Sequence, residues 1–198
     1  MRKKLFGLTA LFVLLCPQWA SAHVPIKGIN DFYNGLLHPF FSLPHLLILI
    51  ALGILLGRHP KKDNSLPTMA FLGSMAVSLL CATFSIGFSA NTYLLIGAGI
   101  LGFLILLNLT LPFWSLSLFA VVVGLLMGFD FAGETVKSKA ALNIGTGVTL
   151  YFCFLYVTLL AENFNKKKWQ QIGFRIIGSW ITACALLVLS LALLVKKN

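Results

Sequence analysis

Four histidines stand in the chain, His23, His38, His45 and His59, and the first three fall within 23 residues. Imidazole is a good ligand for nickel, cobalt, copper and zinc, so this grouping points to a transition-metal ion. His38 and His45 are seven residues apart. On a regular helix that is two turns: one face, but about 10 Å along the axis, too far for one ion to bridge easily. Two prolines change this. Pro39 directly follows His38 and suits a helix start. Pro44 removes an amide donor and frees the carbonyl of Phe40. A bent or unwound turn would draw the two rings together. His23 would become the terminal residue if a leader were cut after Ala22, and its amino group and ring would then chelate a divalent ion jointly. His59, in a basic loop, reads as an amphipathic interface anchor.

The acidic inventory is short, with five Asp+Glu, so position matters. Asp31 lies between His23 and His38 and would complete a mixed site. Asp130 and Glu134 are four apart, one helical turn. They would either bind a cation or pair with Lys137 and Lys139. Glu162, just ahead of Lys166, Lys167 and Lys168, reads as half of an interfacial ion pair. The candidate metal-ion residues are therefore His23, Asp31, His38, His45, Asp130 and Glu134. Asn143, Thr146 and Thr149 are polar groups within an apolar run and are expected to face the bundle interior. Cys16 falls in the leader. Cys81, Cys153 and Cys184 are isolated in apolar runs and form no C-x-x-C pair; they read as small core residues. G-x-S-x-G, H-E-x-x-H, phosphate-loop and dinucleotide patterns are missing from the sequence. No catalytic residue and no organic cofactor is expected.

The elements that would position these residues are hydrophobic helices. The chain has 198 residues, 59% of them hydrophobic and 10% charged, with a mean hydropathy of +0.93. Soluble domains are about a quarter charged. This composition excludes an ordinary soluble globule and a disordered tail. The net charge is +10, but the basic residues fall in short clusters between apolar runs. That pattern orients a membrane protein and does not suggest a nucleic-acid partner. The fold class expected is all-α: a polytopic membrane protein with six transmembrane helices after a cleaved signal peptide. Met1 to Lys4 is a basic start, Leu5 to Leu15 a short apolar stretch, and Ala20-Ser21-Ala22 a small-x-small cleavage signal. Residues 1–22 are thus the expected signal peptide, and residues 23–198 a single membrane domain. About 20 helical residues cross a hydrocarbon core. Six stretches qualify: Leu36–Gly57, Pro67–Phe88, Thr92–Thr110, Pro112–Phe129, Asn143–Asn163 and Ile172–Val195. Short connections suggest antiparallel packing of successive helices. Gly97, Gly99 and Gly102, and Gly73 with Ser74, would allow close helix approach. The basic loops at Arg58–Lys62 and Lys166–Lys168 are expected inside, in the cytoplasm, and the mature N-terminus outside. The tail at Lys196 and Lys197 runs mildly against that rule.

The segment His38-Pro39-Phe40-Phe41-Ser42-Leu43-Pro44-His45, behind a leader and a short external stretch, resembles the HupE/UreJ family. These are six-helix membrane proteins associated with hydrogenase and urease and regarded as nickel or cobalt permeases. Their first helix carries H-P-x-x-G-x-D-H. His38, Pro39 and His45 match; Ser42 stands for the glycine and Pro44 for the aspartate. Gly124 to Glu134 resembles the fourth-helix region, with Met127-Gly128 where His-Gly is common and Asp130 following. Leu142 to Gly145 resembles the start of the fifth helix. The resemblance implies a bacterial inner-membrane permease or uptake accessory for nickel or cobalt, in the lipid bilayer, working with metalloenzyme-maturation proteins. Met127 is a soft ligand suited to copper(I). Two other readings stay open: a non-transporting subunit or assembly factor that kept the fold, and a channel for a small neutral solute.

Overall fold

The computed structural model of the protein describes residues 28–59, 65–84, 90–129 and 136–197. The expected signal peptide, residues 1–22, lies outside the described residues, as do His23, Asp130 and Glu134. Among the described residues seven helices form: α1 Asp31–Phe41, α2 Leu43–Gly57, α3 Ser65–Phe84, α4 Asn91–Leu106, α5 Phe113–Gly128, α6 Val136–Asn163 and α7 Lys168–Lys197. No strand occurs among the described residues, so the all-α class holds. Helices α3, α6 and α7 are each long and apolar enough to cross a bilayer, and α1 with α2 makes a fourth candidate, bent by 69°. Helices α4 and α5 have 16 residues each, roughly 24 Å at 1.5 Å per residue, short of the roughly 30 Å core.

Local chemistry explains where the segments differ from the sequence expectation. The first does not start at Leu36. Asn30 is in the extended region and its side chain accepts from the amide of Phe32, so α1 starts at Asp31. Pro39 is therefore not a helix start; it lies inside α1. Pro44 takes that role instead, near the beginning of α2, where its missing N–H costs nothing. Its ring would clash with a continuous preceding helix, and the break falls at Ser42. Helix α4 ends at Leu106, four residues before the expected Thr110. Asn108 takes a left-handed φ of 57°. The amides of Asn108 and Leu109 return to the carbonyls of Ile105 and Leu104, a Schellman cap that asparagine tolerates. Helix α6 begins at Val136, seven residues ahead of the expected Asn143.

Successive helices are not the main packing partners, which corrects the antiparallel-neighbour expectation. The broad contacts are α3 with α5, α4 with α7, α1 and α2 with α6, and α2 with α4. Glycines make these contacts close. A methyl on Gly124 or Gly128 would collide with the α3 backbone around Phe71–Met75 and Ser78–Leu79, so α3 and α5 run parallel. Gly53 and Gly57 meet Val157 to Glu162 in rising order, so α2 and α6 are parallel too. Gly102 and Gly178 face each other's backbone, and Thr182 donates to the carbonyl of Gly99; numbers rise against each other, so α4 and α7 are antiparallel. Gly102 thus does what its small size suggested, and Ser74 lies against Gly124, whereas Gly73 faces open space.

The core centres on α2, with Ile48, Leu52 and Leu56 fully enclosed alongside Phe71, Leu101, Met127 and Phe154. The outer surface is apolar as well: Phe84, Trp114, Met69, Trp180 and Leu193 are all exposed. So broad an apolar exterior fits lipid as solvent rather than water. Cys81 and Cys184 lie on this exterior and Cys153 is half-buried, which corrects the expectation of three core cysteines.

Candidate functional site

The break between α1 and α2 is built around Ser42. Its amide donates to the carbonyl of His38 at 3.0 Å, closing α1, and its carbonyl accepts from Leu46 at 3.1 Å, opening α2. Its side chain caps neither helix. The hydroxyl instead lies 2.6 Å from Nδ1 of His45. A hydroxyl both donates and accepts, so it satisfies either neutral tautomer of the ring. Ser42 and His45 are both buried.

The bend brings His38 and His45 together. Their ring centroids are 5.5 Å apart, edge to face at 77°, and the Nε2 atoms of both are enclosed. A regular helix would have left them about 10 Å apart along the axis. With Nδ1 against the Ser42 hydroxyl, His45 turns its Nε2 edge into the enclosed space of the bend. That is the arrangement by which an outer hydroxyl or carbonyl orients a metal-ligating imidazole.

Helix α6 holds this elbow from the side. Thr146 Oγ1 donates to the carbonyl of Gly35 at 3.0 Å, and Thr149 Oγ1 to that of Leu36 at 2.7 Å. A methyl on Gly35 would strike the Leu142 backbone, and one on Gly145 the Phe32 backbone. Asn143 donates to the carbonyl of Leu79 at 3.1 Å and to Thr83 Oγ1 at 3.0 Å. Its Oδ1 is buried without a hydrogen-bond partner among the described residues. The three polar residues of the fifth apolar segment thus face the bundle interior, as expected. Hydrogen bonds between membrane helices contribute about 0.6 kcal/mol each, so they position α1 more than they stabilise the whole.

Of the other expected site residues, Asp31 alone lies among the described residues, and it does not join the pair. Asp31 begins α1, seven residues before His38, about 10 Å along the axis. Among the described residues no three of His, Cys, Asp and Glu are grouped so as to hold a metal ion. His23, Asp130 and Glu134 lie outside those residues. Met127 is fully enclosed within the apolar core, so its thioether serves packing. His59 is an anchor of a specific kind: its Nε2 lies 2.7 Å from the carbonyl of Leu111 and donates to it. The role of Ser42 was not visible in the sequence, although its position, three before His45 and at the family's glycine, was the available signal.

No curated protein and no solved structure matches the chain. The description of the HupE / UreJ protein family matches residues 11–188, most of the chain. With the His38–His45 elbow at the place of that family's first-helix motif, the chain belongs to the HupE/UreJ family.

Proposed function

We propose that this protein is a membrane permease, or uptake accessory, for a divalent transition-metal ion, with nickel or cobalt favoured. His38 and His45 take the ion at the outer end of the first apolar segment, His45 through Nε2 while Ser42 holds Nδ1. The observation that carries this reading is the 5.5 Å approach of the two rings at the proline-induced break. Family membership supports an accessory or transport role in metalloenzyme maturation rather than catalysis. His23, Asp31, Asp130 and Glu134 are proposed as further donors or as negative charge on the approach path. Copper is the softer alternative cargo.

In this reading the chain crosses the membrane six times after loss of residues 1–22, with its mature N-terminus outside. The parallel α2–α6 and α3–α5 pairs and the antiparallel α4–α7 pair are those of six segments that reverse direction each time. Helices α4 and α5, though short, then cross where longer neighbours surround them.

Metal content of the purified protein tests the reading. Wild type is expected to retain nickel or cobalt at close to one ion per chain, and His38→Ala/His45→Ala at least tenfold less. Equal metal in both removes the pair as a binding site. A second reading has a specific motive: Pro44 stands where the family has aspartate, and among the described residues two imidazoles converge without a third donor. It makes the protein a non-transporting subunit that kept the fold. Metal flux into proteoliposomes separates the two, since that subunit binds nickel without moving it.

A further inference from the structure

From His45, helix α2 continues to Gly57, and that far end, roughly 20 Å away at 1.5 Å per residue, carries a second polar site. Arg58, Asn108 and Asn165 follow the ends of α2, α4 and α6. They meet there with His59, Thr110, Leu111 and Gln171 around a cavity of about 140 Å³. One water needs only about 10–15 Å³, so the space takes a polyatomic group. Arg58 Nη2 donates to Asn108 Oδ1, which the left-handed cap of α4 presents. Asn165 Nδ2 donates to the carbonyl of Arg58 at 3.3 Å. Arg58 Nη1 and Asn165 Oδ1 are buried without hydrogen-bond partners among the described residues.

The charged residues that line the cavity are basic, while Glu162 lies behind Gly57 on α6, outside the lining. Burial, and after it the neighbouring Arg175 guanidinium, holds the Arg58 pKa below its usual value. Arg175 is itself fixed by donating from Nε to the carbonyl of Leu106 at 2.9 Å. Among the described residues no carboxylate lines the cavity, and Lys166, Lys167 and Lys168 stand exposed beside Asn165. Two guanidinium groups held close together repel unless an anion sits between or beside them. A buried N–H without a partner is costly, and an acceptor would relieve that cost.

We propose that this cavity binds a phosphate group, with Arg58 Nη1 as its principal donor and Arg175 supplying further charge. A protonated phosphate oxygen, or a headgroup hydroxyl, would donate to Asn165 Oδ1. The phosphate comes either from an anionic lipid headgroup, since basic pockets between membrane helices take such groups, or from free phosphate. The site is independent of the metal reading. It would clamp the ends of the first, third and fifth apolar segments together.

The test uses the full chain in a non-phosphate detergent. Dissociation constants are measured for short-chain phosphatidylglycerol and for inorganic phosphate. Saturable binding by wild type, at least tenfold weaker in Arg58→Gln, is expected. Preference for phosphatidylglycerol identifies a lipid site; equal or tighter binding of inorganic phosphate identifies a free-anion site. Gln171→Glu places a carboxylate on the cavity wall and should weaken binding at least tenfold too, which decides the matter if Arg58→Gln fails to fold. Failure of both probes to bind wild type overturns the proposal. So does unchanged affinity in a folded Arg58→Gln or in Gln171→Glu, or binding abolished only by Lys166→Gln/Lys167→Gln.

Discussion

At the scale of single residues, Ser42 carries the most consequence per atom. Its backbone closes one helix and opens the next, while its hydroxyl fixes the His45 ring. The hydroxyl caps no helix, but Ser42→Ala takes the partner from the buried Nδ1 of His45, so it should cost about 1–3 kcal/mol of stability while the fold remains. Loss of a group that orients a metal ligand costs about 10–100-fold in affinity. Calorimetric titration with nickel should therefore give that weakening at unchanged folding, and an unaltered affinity would show that the ring does not need its hydroxyl partner.

At the scale of elements, the elbow and the glycine contacts act in opposite ways. Pro44 prevents α1 from running into α2. Pro44→Ala permits a continuous helix across Ser42, which would return His38 and His45 to about 10 Å along the axis. Co-purified metal should fall as in the double histidine variant, and the melting temperature with it, because a straight helix would take α1 away from α6. Persistence of bound metal would mean that tertiary contacts hold the bend. The glycine contacts stabilise instead of shaping. Gly35→Val forces a side chain into the Leu142 backbone and should cost about 1–3 kcal/mol or more. Gly73 faces open space, so Gly73→Ala should stabilise by about 0.5–1 kcal/mol. Thermal denaturation of both variants in detergent checks the contrast; equal effects would contradict the packing.

At the scale of the whole molecule, the question is which segments cross. Arg58, Asn108 and Asn165 share one end of the bundle, and Ile29 precedes α1. In a background without the native cysteines, six crossings place Ile29→Cys outside, with Thr110→Cys and Lys167→Cys inside. An impermeant thiol reagent on intact cells should label only the first. Labelling of Thr110→Cys from outside would mean that α4 and α5 do not cross, since they lie between the longer spans.

The sequence alone determined the class of protein. Continuous apolar runs with few charges satisfy their backbone hydrogen bonds only as helices when lipid surrounds them, and that needs no knowledge of neighbours. The apolar helices, the coming together of two histidines near two prolines, and the inward-facing Asn143, Thr146 and Thr149 were legible for the same reason: each follows from local chemistry. Tertiary structure decided what depended on contacts far apart in sequence. It set which helices pair, through glycines on unlike segments, and the burial of Met127. It put Arg58 beside Arg175, 117 residues later. Periodicity cannot report such meetings in a chain whose helices are apolar on every side, because the hydrophobic pattern there no longer distinguishes the inner face from the lipid face.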